Sequence, residues 1–360
     1  NADMRYQPHC QCGRGTRGKT PTAGPLMNID FGKLLLLLTV TTLSLFCLSL
    51  MLPSNFSGTY TAAPFLLLEL LNDDTDLAHT ILIELRIPRA TLALFVGASL
   101  GLAGAAMQGL LRNPLAEPGV VGVSGNAALG ATLAFYTGLA TIAPLALPLG
   151  GIAGALAAVI VLFIIAGKRA ETTTLLLAGI AINAIAGALT ALVLNLSPNP
   201  FAAMEIIFWQ MGSLADRSLL HLQLAGPLMA IGWTLILLAA PATRALSLGE
   251  VTAASLGTNV RTTQRQIIVG TALCVGAGVA VTGVIGFIGL VVPHLLRKPC
   301  ANDPAKLLLA SAGGGASLLL AADIAVRCIP VGAELKLGVI TALLGAPFFL
   351  YLIFQLRRLE

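Results

Sequence analysis

Long apolar runs constrain this chain more than any other feature of its sequence. A helix needs about 20 mostly apolar residues to cross a bilayer, and ten candidates follow one another along the 360 residues. They lie near 33–52, 89–111, 119–137, 143–166, 172–195, 219–241, 266–282, 284–296, 305–326 and 335–356. Charged residues make up only 10% of the chain, against about 25% in soluble domains. The sequence therefore predicts an all-α, polytopic membrane protein with ten spans, and it excludes a disordered chain or a nucleic-acid binder with a basic surface.

The apolar stretch 267–296 needs a separate interpretation. At a rise of about 1.5 Å per residue it is too long for one ordinary span and short for two. Arg261 and Arg265 precede it, and Arg297 and Lys298 follow it. If both basic ends are cytoplasmic, the chain must cross outward and return. We predict a hairpin whose second arm is short.

The basic residues give the chain an orientation. Positive charges collect on the cytoplasmic side of membrane proteins, and an even number of spans puts both termini on one side. With ten spans, 16 of the 21 basic residues fall on the side of the termini and 5 on the other. We therefore expect both termini to be cytoplasmic, with residues 1–30 forming a polar, disordered extension and residues 31–360 forming the membrane domain.

The extension contains a sequence that mimics a nucleotide-binding loop. Residues 13–20 match the pattern G-x-x-x-x-G-K-[ST], which holds phosphate only between a strand and a helix. No apolar run precedes the pattern, and Pro21 and Pro25 prevent a helix from starting after it. His9, Cys10 and Cys12 are a weak metal signal in the same tail. We therefore predict no ATP site, no metal site and no catalytic site in this chain.

Small and polar residues within the second span allow two interpretations. Gly97 and Gly101 have the G-x-x-x-G spacing, which favours close helix packing. Met107 and Gln108 lie further along the same span. They either pack against other helices or line a pathway.

Charged residues at the predicted outer ends of two spans also allow two interpretations. Arg86 and Arg89 flank Pro88, and Arg327 follows Asp323 by one helical turn. An Asp323–Arg327 ion pair would lower the cost of an acid near the membrane. Alternatively, the three arginines present their charges to an acidic external partner.

Two cytoplasmic connections carry specific features. Two prolines in residues 112–119 forbid a continuing helix and predict a fixed turn. Residues 247–261 predict a short amphipathic helix, a glycine stop and a second short turn. This second loop is either a solvated connection or a docking element for a cytoplasmic subunit.

Four motifs in this order resemble the permease subunits of ATP-binding-cassette (ABC) importers for iron chelates, heme and cobalamin, the type II importers. The motifs are RIPR at 86–89, the run 108–125 with NPLA at 113–116, GVIGFIGLVVPH at 283–294 and GVITALLGAPFF at 338–349. The resemblance covers roughly residues 33 to 358. It implies a ten-span permease in the bacterial inner membrane that carries no cofactor of its own. The partners that it implies are a second copy, two cytoplasmic ATPases that use ATP and magnesium, a periplasmic binding protein and membrane lipid.

The resemblance also implies roles for individual residues. Docking of the binding protein is expected at Arg86, Arg89 and Arg327. The ATPase coupling loop is expected at about 244–263, with Leu248, Glu250, Leu256, Gly257 and Arg261. The cytoplasmic gate is expected at Asn113, Leu115, Glu171, Thr172, Thr173 and Thr174. Met107 and Gln108 remain candidates for the pathway.

The sequence departs from the family pattern at two places and leaves the cargo open. An Arg, Gly and Asp-His-Arg run usually follows the third motif, but here the chain reads RKPCANDPAK at 297–306. Lys336 stands where the family commonly has a proline before the last span. Heme is the first expectation for the cargo, followed by a ferric siderophore or cobalamin. An ion-coupled secondary carrier is the alternative function, although such carriers usually place ionisable residues in mid-span. A membrane enzyme would need clustered acids or histidines, which the sequence lacks.

Overall fold

The computed structural model describes residues 30–52, 80–143, 145–167, 172–197, 199–329 and 335–357, and these form helices and turns with no strand among them. The helices are α1 (Phe31–Met51), α2 (Ile87–Leu111), α3 (Val123–Tyr136), α4 (Leu139–Ile142), α5 (Ala146–Ala166), α6 (Thr172–Asn195) and α7 (Pro200–Gln210). They continue with α8 (Leu219–Leu238), α9 (Ala240–Leu246), α10 (Glu250–Ser255), α11 (Val260–Thr282), α12 (Ile288–Arg297), α13 (Pro304–Cys328) and α14 (Leu337–Arg357). A π-helical turn at Ile81–Arg86 leads into α2, and a 3₁₀ turn at Pro118–Val121 precedes α3.

Eight of the described helices are long and apolar enough to cross a membrane, so the predicted all-α membrane fold is confirmed. They are α1, α2 with its π turn, α5, α6, α8, α11, α13 and α14. Two other predicted spans are occupied by shorter helices. The 14 residues of α3 and the 10 residues of α12 rise about 21 Å and 15 Å, less than the roughly 30 Å of a bilayer core. The count of ten spans therefore stays a prediction.

The predicted turn and the short second arm of the hairpin are present, while its two membrane crossings stay a prediction. Helix α11 ends at Thr282, residues 283–287 turn the chain, and α12 begins at Ile288. Gly283 has a φ of +74°, which favours glycine.

Helix α7 occupies a segment for which we predict no helix. Asn199 caps it by accepting a hydrogen bond from the backbone N–H of Phe201, and Pro200 follows at the first helical position.

Helix α2 lies at the centre of the bundle and packs along α13, α11 and α12. Its glycines allow a very close approach, because a Cβ on Gly101 would lie 2.0 Å from the carbonyl oxygen of Ser311. A Cβ on Gly97 would lie 2.4 Å from the carbonyl oxygen of Gly315. The packing role predicted for the G-x-x-x-G pattern is therefore confirmed.

The bundle has two ends, which we name after one residue each. At the Arg89 end, Arg86 at the start of α2 and Arg327 at the end of α13 both reach the last turn of α1. At the Glu250 end lie the start of α1, the end of α2, and the helices α9 and α10. The sides of α5 and α6 expose many large aliphatic residues between these ends, as expected for helices that lie within a membrane.

Candidate functional site

A cavity of about 730 Å³ opens beside α6. Its walls come from one face of α6, the first turns of α3, the end of α7, and the loops 117–120 and 284–287. The lining is mixed, since apolar and glycine positions alternate with polar side chains. The polar side chains are Glu117, Ser124, Asn183, Thr190 and Gln210. The volume falls within the range of about 300–1,000 Å³ that is typical of sites for small ligands.

The turn between α2 and α3 holds one wall of this cavity in place. Arg112 takes a left-handed conformation with φ +49°, and the Asn113 side chain accepts a hydrogen bond from the N–H of Leu115 at 2.9 Å. Further on, the Glu117 carboxylate accepts a hydrogen bond from the N–H of Phe287 at 2.8 Å. The fixed turn predicted for 112–119 is therefore confirmed, and Glu117 joins it to the hairpin loop.

The cavity does not include the two residues proposed for a pathway. Gln108 is 2% exposed, and its amide contacts the carbonyls of Gly289 and Leu290 while its oxygen accepts from Arg297 at 2.6 Å. Met107 is buried beside a small apolar void. The structure thus gives both residues packing contacts within the chain, and their role in a pathway stays a prediction.

The predicted coupling loop folds as a short helix with an apolar tip. Helix α10 is followed by Gly257 at φ +82°, so the predicted order of helix and glycine stop is confirmed. Leu248, Val251 and Leu256 are all exposed, and Val251 is 85% exposed. Ala253 on the opposite side is fully buried. Arg261 is exposed at the start of α11 and borders a crevice of about 420 Å³.

A hydrogen-bond chain joins this loop to the predicted gate. The Thr172 hydroxyl donates to a carboxylate oxygen of Glu250, and it accepts from the Gln264 side-chain amide at 3.2 Å. Thr173 and Thr174 are exposed beside it. Glu171 lies outside the described residues. Asn113 and Leu115 lie at the same end of the bundle and do not line the cavity.

The three arginines predicted to dock a partner are close together but are not free cations. They are between 4% and 7% exposed. Asp323, 1% exposed, pairs with Arg89 at 2.9 Å and with Arg327 at 2.8 Å. Arg86 donates to the carbonyl oxygen of Leu50 at 2.9 Å. The predicted Asp323–Arg327 pair is confirmed, and it satisfies an acid that would be costly to bury unpaired. Docking of a partner at the three arginines stays a prediction.

Three residues of the cavity and of the hydrogen-bond chain were not predicted from the sequence. Glu117 lies in the predicted fixed turn, and a carboxylate next to Pro118 was the available signal. Asn183 is a polar amide in an otherwise apolar span, which commonly indicates a functional position. Gln264 lies in the first turns of α11 and gave no signal, since its partner Thr172 is 92 residues away.

Other ionisable groups at the Glu250 end have structural roles. Arg244 donates two hydrogen bonds of 2.9 Å to Asp303, which lowers the pKa of that carboxyl group. Asp303 also caps α13 through the N–H groups of Ala305 and Lys306. This pair and cap occur in the segment where the chain departs from the family pattern. Among the described residues, no group of three His, Cys, Asp or Glu side chains could hold a metal ion.

Comparisons with known proteins agree with this architecture. Residues 38–355 match the model of the FecCD transport family. The chain is 40% identical over 286 residues to the hemin transport system permease protein HmuU of Yersinia pestis, covering 77% of the chain and 84% of that protein. It is 40% identical over 274 residues to the vitamin B12 import system permease protein BtuC of Klebsiella pneumoniae, covering 76% and 82%. A solved structure described as an inward-facing metal-chelate type ABC transporter matches with a TM-score of 0.78 and 28% identity, covering 90% of the chain and 99% of that structure.

Proposed function

The chain belongs to the FecCD transport family, and from this premise we propose that it forms the membrane path of an ABC importer whose first candidate cargo is heme. The relatives are permeases of hemin and vitamin B12 import systems, so the family points to ABC import and not to an ion-coupled carrier. Heme comes first because the hemin permease is among the relatives with 40% identity. Cobalamin and ferric siderophores are the next candidates.

The observation that carries this proposal is the apolar tip at the Glu250 end. Val251 on the short helix α10 is exposed, and so are Leu248 and Leu256, which flank its two ends. Charged residues such as Arg244 and Arg261 lie in the same loop region. Exposed apolar side chains rimmed by polar residues are typical of protein interfaces. A carrier that works alone has no need of such a tip. We assign it to contact with one of two cytoplasmic ATPase subunits, which would bind and hydrolyse ATP with magnesium.

The open cavity supports a second copy of the chain as a partner. Helix α6 forms one wall of the 730 Å³ cavity, and the cavity is open on another side. In a homodimer, a second chain would cover this opening, and the two cavities would meet around a central path. The described lining includes no His, Cys or Met side chain, so a metal chelate would be held weakly there and released easily.

The orientation follows from the positive charges. We infer that the protein lies in the bacterial inner membrane with both termini and the Glu250 end in the cytoplasm, because most basic residues fall on that side. The Arg89 end then faces the periplasm. Its cluster of Arg86, Arg89, Arg327 and Asp323 keeps an excess of two positive charges. That excess fits acidic residues of a periplasmic binding protein, acting through the field of the buried cluster.

The mechanism that these parts support needs no chemistry in this chain. ABC permeases are not enzymes by themselves, and the energy would come from closure of the two ATPases. The tips would follow that closure, the wall helix α6 would move, and the cavity would open alternately to each side. Arg86 and Arg89 would keep the periplasmic end receptive to the loaded binding protein.

The test is purification of the complex from native membranes in mild detergent, with its mass and ATPase activity recorded. We expect two copies of the chain, two ATPases and hydrolysis that vanadate inhibits. The V251D variant should lose the ATPases, because a carboxylate would be placed in an apolar contact. The matched control N302D places the same charge on an exposed residue outside the coupling loop and should keep them. A stable chain that copurifies with no ATPase would contradict the proposal.

A further inference from the structure

We propose that Thr172 is the positioning residue through which the movement of α10 is passed to the cavity wall. Helix α10 carries the tip assigned to the ATPase, and helix α6 lines the cavity. Thr172, the first residue of α6, is hydrogen bonded to Glu250, the first residue of α10. This inference rests on the proposed function and adds a residue-level connection to it.

The donors and acceptors of the connection form one polarised chain. The Gln264 amide donates to the Thr172 oxygen at 3.2 Å, and the Thr172 hydroxyl donates to the Glu250 carboxylate. Each group thereby has a defined direction, since a hydroxyl has a single hydrogen to donate. A hydrogen bond to an ionised carboxylate is stronger than one between neutral groups. Gln264 therefore fixes the direction in which the Thr172 hydroxyl points.

Helix α6 is suited to carry a displacement from Thr172 to the cavity. It is continuous over 24 residues and contains no proline. The cavity residues Ile180, Asn183, Gly187 and Thr190 all lie on it. Asn183 is about 16 Å along the helix from Thr172. A shift of the first turn would therefore move the whole wall.

The two helices have different immediate neighbours. Helix α10 packs on α9 and α11 through the buried Ala253, and α11 also carries Gln264. Helix α6 packs mainly against α3 and α5. Helix α11 also packs against α3 and α5, so α6 and α10 belong to one connected core. The Glu250–Thr172 bond is the direct polar link between these two helices.

The test uses the complex with its ATPases in lipid vesicles and hemin as the probe cargo. T172V removes the hydroxyl and keeps the shape, E250Q removes the charge, and Q264L removes the amide. T172S restores a hydroxyl. The matched controls T234V on α8 and Q266L on α11 remove the same groups outside the network and outside the coupling loop. The readouts are hemin transported per ATP hydrolysed and the melting temperature.

We expect T172V and E250Q to transport about tenfold less hemin per ATP, with ATP hydrolysis and complex assembly retained. The double variant T172V/E250Q should transport as much hemin per ATP as either single variant, because the two substitutions remove the same connection. Q264L should show about a threefold loss, and T172S and both controls should match the wild type. A purely structural bond would instead lower the melting temperature and leave the ratio unchanged.

A second readout follows α6 without any cargo. In a cysteine-free background, spin labels at Leu177 on α6 and Leu238 on α8 occupy exposed positions. Trapping with ATP and vanadate should change their distance in the wild type and not in T172V. If T172V shows the wild-type change and the wild-type transport ratio, this inference is overturned. If the wild type shows neither ATP-driven change nor transport, the proposed function itself fails.

Discussion

Adding one methyl group at Gly101 tests the close packing of α2 against α13. In G101A, the new Cβ would lie 2.0 Å from the carbonyl oxygen of Ser311 and 2.9 Å from its carbonyl carbon. Both contacts are with backbone, which can yield only if the helices move apart. Overpacking costs about 1–3 kcal/mol, and a backbone clash belongs at the upper end. The better helix propensity of alanine returns about 1 kcal/mol. We therefore expect a net loss of about 2 kcal/mol.

The matched control lies on the same helix. In G109A, the nearest atom to the new Cβ is the Cβ of Thr243 at 4.0 Å, which is an ordinary contact. We therefore expect the free energy of unfolding to rise by up to about 1 kcal/mol. The two variants should differ by about 3 kcal/mol, roughly 100-fold in the unfolding equilibrium constant. The assay is unfolding by SDS in mixed micelles, followed by circular dichroism. Equal stability of G101A and G109A would refute the packing that we describe.

Two further predictions concern charged residues. D323N should lower the free energy of unfolding in the same assay by about 3–5 kcal/mol, because Arg89 and Arg327 both lose their buried carboxylate; a loss below about 1 kcal/mol would contradict the buried pairing. D303A should cost about 1 kcal/mol through loss of the α13 cap. Arg244 lowers the pKa of Asp303, so the carboxylate stabilises the fold above its unfolded pKa of about 3.9 and this contribution is lost as the pH falls through the lower folded pKa. The stabilities of wild type and D303A should therefore converge as the pH falls through this lower folded pKa, and R244Q should behave as an intermediate.

The positions of several helices along the chain could be predicted from the sequence. The predicted span 172–195 coincides with α6, and the short return arm near 284–296 corresponds to α12. Apolar length decides these elements, because a backbone in lipid must satisfy its own hydrogen bonds within a helix. The glycine stop after α10 was likewise readable, since Gly257 adopts a positive φ.

The arrangement of side chains between distant segments could not be predicted. Nothing in the sequence around Glu250 indicates that its partner is Thr172, which lies 78 residues away. Two interpretations of the arginines near the start of α2 stayed open for the same reason, because Asp323 is 234 residues from Arg89. Such contacts depend on how helices pack, and neither periodicity nor composition records that. The family resemblance indicated the function, and the structure showed which distant side chains are in contact.

The most direct test of the central claim is transport by the reconstituted complex. The chain would be placed in lipid vesicles with its copurified ATPases, with the binding protein and hemin on one side and ATP on the other. We expect uptake of hemin that requires ATP and stops with vanadate, and no effect of a collapsed ion gradient. Cobalamin and a ferric siderophore, each with a matching binding protein, would establish the cargo. Uptake that persists without ATP and disappears with the ion gradient would contradict the assignment to an ABC importer.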